Sequence, residues 1–311
     1  MSVRVSVPLG DGSTLEDFDR SVAYSEGHFV PISEAKISVL DFGFTHSDVT
    51  YDVVHVWNGR FFELEAHLDR FFASMEKLRL DPGLTRDEIR EILAECVRRS
   101  GFRYSYIGMV CSRGVPPRGS RDMRMCKNQF IAYALPFIYL FPPEKRERGV
   151  KAIISSFMRI PSASVDQRIK NYHWLDMVRS QWEAYDKGAD TAFLLDMDGN
   201  LTEGPGYNVF IVKDGALLTA RSNVLEGVTR KSVLQIAAEL GVPARETDLK
   251  PEDLLSADEV FLSSTAGGVL PVTRVNERIY NNDAPGPVTS RVKEAYWLRH
   301  DQDWNATPIH Y

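Results

Sequence analysis

Lys170 stands in Arg168-Ile-Lys-Asn-Tyr-His-Trp174, among aromatic and apolar neighbours between a strand pattern and a helix pattern. A lysine in such surroundings loses basicity through desolvation and can serve as a nucleophilic amine; the alternative is a surface lysine that snorkels. Glu203, in Leu201-Thr-Glu-Gly-Pro-Gly-Tyr-Asn208, is an acid flanked by glycines, either a turn residue or a buried carboxylate serving a cofactor. Glu226-Gly227-Val228-Thr229-Arg230 is a turn running into a helix. Unpaired N–H groups at the helix start, a glycine that permits close approach and the Thr229 hydroxyl would suit an anion there. Ser264-Thr265-Ala266-Gly267-Gly268 follows a strand and offers further backbone donors. Taken singly, each turn is also what an ordinary helix start or hairpin looks like. Other familiar sites lack their spacing. The seven histidines form no HExxH, Arg230-Lys231-Ser232 lacks the phosphate-loop spacing, and no GxGxxG follows a strand, so neither a metal nor nucleotide binding by these motifs is expected.

The elements around these residues read clearly in places. Tyr51 to Trp57 and Arg60 to Glu63 form a hairpin turned at Asn58-Gly59, and residues 28–39 read as extended or paired strand. Leu68, Phe71, Phe72, Met75 and Leu78 recur at helical spacing as plain core packing. A second helix starts at Thr85 with Glu88 three residues on, a Leu84–Ile89 staple and Gly101 as its stop. Strands follow at Tyr104 to Ser112 and Gln129 to Tyr139. Phe141-Pro142-Pro143 and the charged run to Gly149 read as a linker. The expected organisation is a domain over 1–140, a linker over 141–149 and a second domain over 150–311. The second half carries strands near 150–155, 191–196, 207–212, 216–219 and 259–264, with helices near 175–187 and from Thr229 to Gly241.

Composition bounds the class. A chain of 311 residues fits about two domains at roughly 150 residues each. Its 43% hydrophobic and 26% charged content is ordinary for a globular protein. A net charge of −6 argues against a surface dominated by nucleic acid or anionic membrane. Three cysteines without a CxxC fit a reducing cytoplasm. The first twenty residues carry Asp11, Glu16, Asp17 and Asp19 and lack the apolar stretch of a signal peptide; the apolar run Phe130 to Phe141 is too short to span a bilayer.

Taken together and in order, His67-Leu-Asp-Arg70, Ile169-Lys-Asn171, Leu201-Thr-Glu-Gly204, Asn208-Val-Phe210, Gly227-Val-Thr-Arg230 and Ser264-Thr-Ala-Gly267 resemble the motif set of fold-type IV pyridoxal-phosphate aminotransferases. That family includes branched-chain, D-amino-acid and (R)-selective amine transaminases and aminodeoxychorismate lyase. The resemblance runs from about Gly27 to Trp297, through motifs that are short individually and specific collectively. It implies an α+β fold with a small N-terminal α/β domain and a larger C-terminal domain built on a pseudo-barrel sheet. It implies pyridoxal 5'-phosphate as cofactor, with Lys170 as Schiff-base lysine and proton shuttle and Glu203 holding the ring nitrogen protonated. Arg70, Val228, Thr229 and Thr265 would bind the cofactor phosphate. It also implies small-molecule amine and keto acid substrates and a homodimer with shared sites.

Within the family, Phe44 to Val53, Trp57 to Phe62, Asn171 with Trp174, Gly227 to Ser232 and Thr265 to Gly268 look most like the (R)-selective amine transaminases. Branched-chain enzymes typically carry Tyr-Ile-Arg-Pro where this chain has Tyr106-Ile107-Gly108-Met109, so Gly108 leaves space and no fixed charge. The resemblance gives Tyr51, Val53, His55, Tyr106, Tyr172, Trp174, Thr265 and Ala266 to the substrate. Arg118 is the nearest candidate for a carboxylate, with Arg121 and Arg124 competing. His55 and His173 depart from the amine enzymes. The alternatives are a D-amino-acid or branched-chain aminotransferase and, more distantly, the lyase or a non-catalytic cofactor-binding protein.

Overall fold

The computed structural model describes residues 15–311; the first fourteen, with Asp11 among them, lie outside the described residues. The chain divides into two compact units. The first comprises residues up to Ile138 together with Ile169–Tyr172 and Asp303–Tyr311, and the second comprises Tyr139–Arg168 and His173–Gln302. The chain thus changes unit between Ile138 and Tyr139, and two short later segments rejoin the first unit. With those returns counted, the second unit is still the longer of the two.

The first unit holds β1 (Val22–Ser25), β2 (His28–Pro31), the short helix α1 (Phe42–His46), β3 (Val49–Trp57), β4 (Arg60–Phe62), α2 (Leu64–Leu78), α3 (Arg86–Ser100), β5 (Ser105–Ser112) and β6 (Gln129–Pro136). Its sheet runs, from one edge, Ala306–Pro308, β4, β3, β5, β6, β1, β2, with every pair antiparallel. The alternation along β3, β5 and β6 sorts their side chains onto two faces. Val54, Val56, Ile107, Met109, Cys111, Phe130, Ala132 and Ala134 face the helices and make a core with Leu68, Phe71, Met75, Ile89 and Leu93. The Thr85 capping box forms, with the Glu88 side chain returning to the Thr85 N–H. The opposite face carries Tyr51, Val53 and His55 from β3 and their cross-strand partners Val110, Gly108 and Tyr106 from β5.

The second unit holds α4 (Pro143–Arg148), β7 (Val150–Met158), α5 (Leu175–Asp186), β8 (Thr191–Leu195), β9 (Glu203–Gly204), β10 (Tyr207–Lys213), β11 (Ala216–Ala220), α6 (Val228–Glu239), β12 (Ala244–Thr247), α7 (Pro251–Leu255), β13 (Glu259–Ser264), β14 (Gly268–Val275), β15 (Arg278–Ile279) and α8 (Pro287–Asp301). The sheet order is β12-β11-β10-β13-β14-β7-β8, with β9 on β10 and β15 on β14. The parallel pairs β7/β8 and β11/β12 are each joined through a helix, α5 and α6, as parallel neighbours require. Val150, Phe193, Val209, Ile211, Leu262 and Val272 build the core of this unit. The stretch 141–149, read as a linker, folds in part as α4, because Pro143 occupies a first-turn position where a missing N–H costs nothing. Among the described residues no helix is long and apolar enough to cross a membrane.

Candidate active site

Lys170 belongs to the first unit, where its four-residue segment lies along the start of β3. Its carbonyl accepts from the Tyr51 N–H at 3.1 Å and from the Thr50 hydroxyl at 2.7 Å, and Thr50 forms an isolated bridge with Asn171. The Lys170 N–H points to Ser74 Oγ on α2 at 3.4 Å. The main chain is therefore fixed, while the half-buried side chain carries its Nζ 4.4 Å from the centre of the Tyr51 ring. Tyr51 stacks on Tyr172 at 4.3 Å. Burial pushes the Tyr51, Tyr106, Tyr133 and Tyr172 phenols up, so they stay protonated donors through neutral pH. Val53 lies on the same face, and His55 is buried between Phe62 and Phe137, at ring distances of 5.3 and 5.4 Å. Gly108 does not leave open space: the Tyr133 ring from β6 covers it, with Cζ 2.1 Å from where a Cβ would stand.

On the helix side of the same sheet, Asp52 is fully buried. Arg70 grips it through Nε at 2.7 Å and Nη2 at 2.8 Å, and His67 Nδ1 lies 2.8 Å from the same carboxylate. Burial alone would raise the Asp52 pKa, but the Arg70 charge and the hydrogen bonds overcome it and hold the group well below the usual carboxylate range. Burial lowers the His67 pKa despite Asp52, which keeps the imidazole neutral with its Nδ1–H donating. Arg70, given to the cofactor phosphate by the resemblance, is thus oriented by a partner that the motifs did not assign. The signal was the single acid in β3, followed by His and Arg at i, i+3 on α2.

In the second unit Glu203 is 3% exposed. Its Oε1 accepts from Arg159 Nε at 3.1 Å, and its Oε2 from the Leu225 N–H at 2.9 Å and Asn208 Nδ2 at 3.5 Å. Arg159 also binds Asp176 at 2.6 Å. Arg159 and Asp176 were missed because their partners are remote in sequence and no local pattern marks them. Asn208 donates to the Leu225 carbonyl at 2.8 Å, tying the Glu203 carboxylate to the turn that starts α6. Gly227 caps that helix, and a Cβ there would fall 2.2 Å from Asn208 Oδ1, so only glycine permits the approach. Val228 and Thr229, both buried, supply the first-turn N–H groups and a hydroxyl. Thr265 and Ala266 lie in the turn between β13 and β14, where Ser264 Oγ accepts from the Ala266 N–H at 3.2 Å. Trp174 precedes α5, its ring 3.7 Å from a Cβ position on Gly206.

The three arginines proposed for a carboxylate all lie between β5 and β6, Arg124 in the short 3-10 helix Met123–Met125. Arg118 and Arg121 are exposed, and Arg124 is bound to Asp122 at 2.6 Å.

In the first unit a lysine fixed by its main chain among phenols, and in the second a buried carboxylate with ordered donors and a glycine-dependent anion cradle, each have chemistry that suits pyridoxal phosphate. With these two sheets they define a fold-type IV pyridoxal-phosphate-dependent enzyme. The model of the amino-transferase class IV family matches residues 50–275, and the chain belongs to that family. It is 34% identical over 275 residues to a putative branched-chain-amino-acid aminotransferase of Methanocaldococcus jannaschii, covering 88% of this chain and 94% of that one. It is 31% identical over 271 residues to the D-alanine aminotransferase of Bacillus licheniformis, covering 86% and 93%. Among solved structures, the branched-chain aminotransferase of Thermoproteus uzoniensis with norvaline superposes with a TM-score of 0.85 at 30% identity, covering 93% of this chain and 99% of that one. The branched-chain amino acid aminotransferase of Thermobaculum terrenum in its PLP-form gives 0.84 at 26% identity, covering 93% and 98%. The protein is a pyridoxal-phosphate-dependent aminotransferase.

Proposed function

We propose that this aminotransferase takes its amino group from a primary amine of (R) configuration and delivers it to a keto acid such as pyruvate. The observation that carries this reading is the strand position Gly108, covered by a neutral phenol where a branched-chain enzyme has an arginine. The neighbouring wall of Tyr51, Tyr106, Tyr133 and Tyr172 offers ring faces and protonated hydroxyls to an apolar amine.

Bound pyridoxal phosphate supplies an electron sink for the negative charge that develops at the substrate carbon. Lys170 Nζ would be the base that takes the proton from that carbon and delivers it to the cofactor's C4′, with its main chain held by the Thr50 hydroxyl and the Tyr51 N–H. Glu203, held by Arg159, Leu225 and Asn208, provides the fixed negative charge for the ring nitrogen. Arg70, Val228, Thr229 and Thr265 are the phosphate-holding residues, and Val53, His55, Trp174 and Ala266 complete the substrate set. Arg118 is the nearest candidate for the keto acid's carboxylate, with Arg121 and Arg124 competing.

The test is to titrate the holoenzyme with (R)-1-phenylethylamine, its (S) enantiomer, D-alanine and L-leucine while following the visible absorbance of the bound cofactor. The fastest loss is expected with the (R)-amine, and Lys170→Ala should abolish turnover. Bleaching by an amino acid but not by the amine moves the substrate to a second reading, a D-amino-acid or branched-chain aminotransferase. The named activities of the relatives favour that second reading.

We also infer a homodimer. Val39, Leu40 and Phe44 in the first unit are each more than 60% exposed, and α5 in the second presents Leu175, Val178, Trp182 and Tyr185 along one face. The free thiols Cys96, Cys111 and Cys126 fit a cytoplasmic setting.

A further inference from the structure

The geometry points to Gly108 and Tyr133 as one specificity element. The missing side chain at 108 seats the Tyr133 ring against β5, and the seated ring sets how large a donor substituent the phenol wall admits. This inference rests on the reading of that wall as the substrate's, and it adds a residue, Tyr133, that the motifs do not contain.

Gly108 lies between Val53 on β3 and Tyr133 on β6, all three on the sheet face that bears Tyr51 and Tyr106. A Cβ on Gly108 would stand 2.1 Å from Tyr133 Cζ, 2.5 Å from its hydroxyl and 2.6 Å from Cε1. The ring therefore crosses the glycine in close contact with the backbone, and no L side chain at 108 is compatible with that position. To reach an ordinary carbon contact of about 3.5 Å, Cζ must recede by roughly 1.4 Å. The strand lies beneath the ring, and Ala23 of β1 is its cross-strand neighbour on the other side. The ring's way out is thus off the sheet, into the volume beside Tyr106 and Tyr172. Burial keeps the Tyr133 phenol protonated, with Tyr106 and Tyr172 close enough to feel it electrostatically. The floor of the wall is consequently flat and uncharged at this point, and its height is set by whether position 108 has a side chain.

The test is a double-mutant cycle on the holoenzyme with Gly108→Ala, Tyr133→Ala and the double variant, plus Tyr133→Phe. The readouts are kcat/KM for (R)-1-phenylethylamine and D-alanine, and the affinity for acetate and 3-phenylpropionate as unreactive probes, followed by cofactor absorbance. Gly108→Ala should lower kcat/KM for the aryl amine tenfold or more and for D-alanine less than threefold. It should weaken 3-phenylpropionate but not acetate. The double variant should recover to within threefold of wild type, and Tyr133→Phe should change the aryl-to-alanine ratio less than threefold.

Equal losses for large and small donors, or a double variant no better than Gly108→Ala, would overturn the inference. If Gly108→Ala does not fold, Tyr133→Ala alone decides. It should raise the ratio of kcat/KM for 1-(2-naphthyl)ethylamine over 1-phenylethylamine at least fivefold, and an unchanged ratio sinks the element. If the wild type takes only amino acids, the amine reading fails. The same proteins assayed with phenylalanine against alanine of the accepted hand then still decide the pair.

Discussion

Asp52 with Arg70 in the first unit and Glu203 with Arg159 in the second are the same device, a buried carboxylate on a guanidinium, assembled with different remainders. In the first, the third member is His67, which burial keeps neutral, so the charges of Asp52 and Arg70 cancel. In the second, the third member is Asp176, so Glu203 and Asp176 share a single Arg159 and one formal negative charge is left over among the three. A balanced set orients a guanidinium without adding a field of its own. A set with a negative remainder can stabilise a protonated ring nitrogen. Similar pairwise chemistry would thus serve positioning in one unit and, in the role proposed for Glu203, charge supply in the other, and the difference lies in the third residue.

Glu203→Gln removes the remainder and should cost roughly 100-fold in kcat/KM, the scale of losing one preorganised electrostatic group. Steady-state rates within threefold of wild type would break the comparison at its strongest point. Asp52→Asn should act on stability first, by about 3 kcal/mol at neutral pH, because it strands Arg70 beside a buried neutral amide. The Asp52 carboxyl is held below its unfolded value of about 3.9. Its stabilisation is therefore complete above that pH and fades as pH falls further toward the folded value. Thermal melts should show the gap between wild type and variant closing below about pH 4, and a gap constant down to pH 3 would show that the charge is not its source. Asp176→Asn also cancels the remainder but keeps the Glu203 carboxylate in place, so it should cost less, about tenfold in kcat/KM. A loss as large as that of Glu203→Gln would make Asp176 the equal of Glu203 in supplying the charge.

Much of this architecture is legible in local sequence. The Asn58-Gly59 turn, the Thr85–Glu88 box, the α2 stripe and the Gly227 helix start follow from residues a few positions apart, where local rules operate. What is not legible is what remote pairing decides. β1 is a strand because it lies between β2 and β6, and nothing within Val22–Ser25 announces that. α8 escaped because its buried side includes Thr289, Arg299 and His300 beside Val292 and Tyr296, so no apolar stripe marks it. In the site, Lys170, Glu203 and the two anion turns stood out by type and context. Arg159 did not, since its partner Glu203 lies 44 residues away. The space expected at Gly108 is filled by Tyr133, a residue of a different strand, which no reading along β5 alone could reveal.

The outer strand of the first sheet, Ala306–Pro308, pairs with β4. A ribosome making this chain from its amino end delivers β3, β4 and β5 long before that partner exists. Through the synthesis of more than 200 further residues, the β3–β4 hairpin waits with an unpaired backbone edge of the kind that recruits other chains. The sheet of the first unit cannot be finished until Ala306–Pro308 has emerged, and the interval before that is when a nascent chain would most need a chaperone at β4.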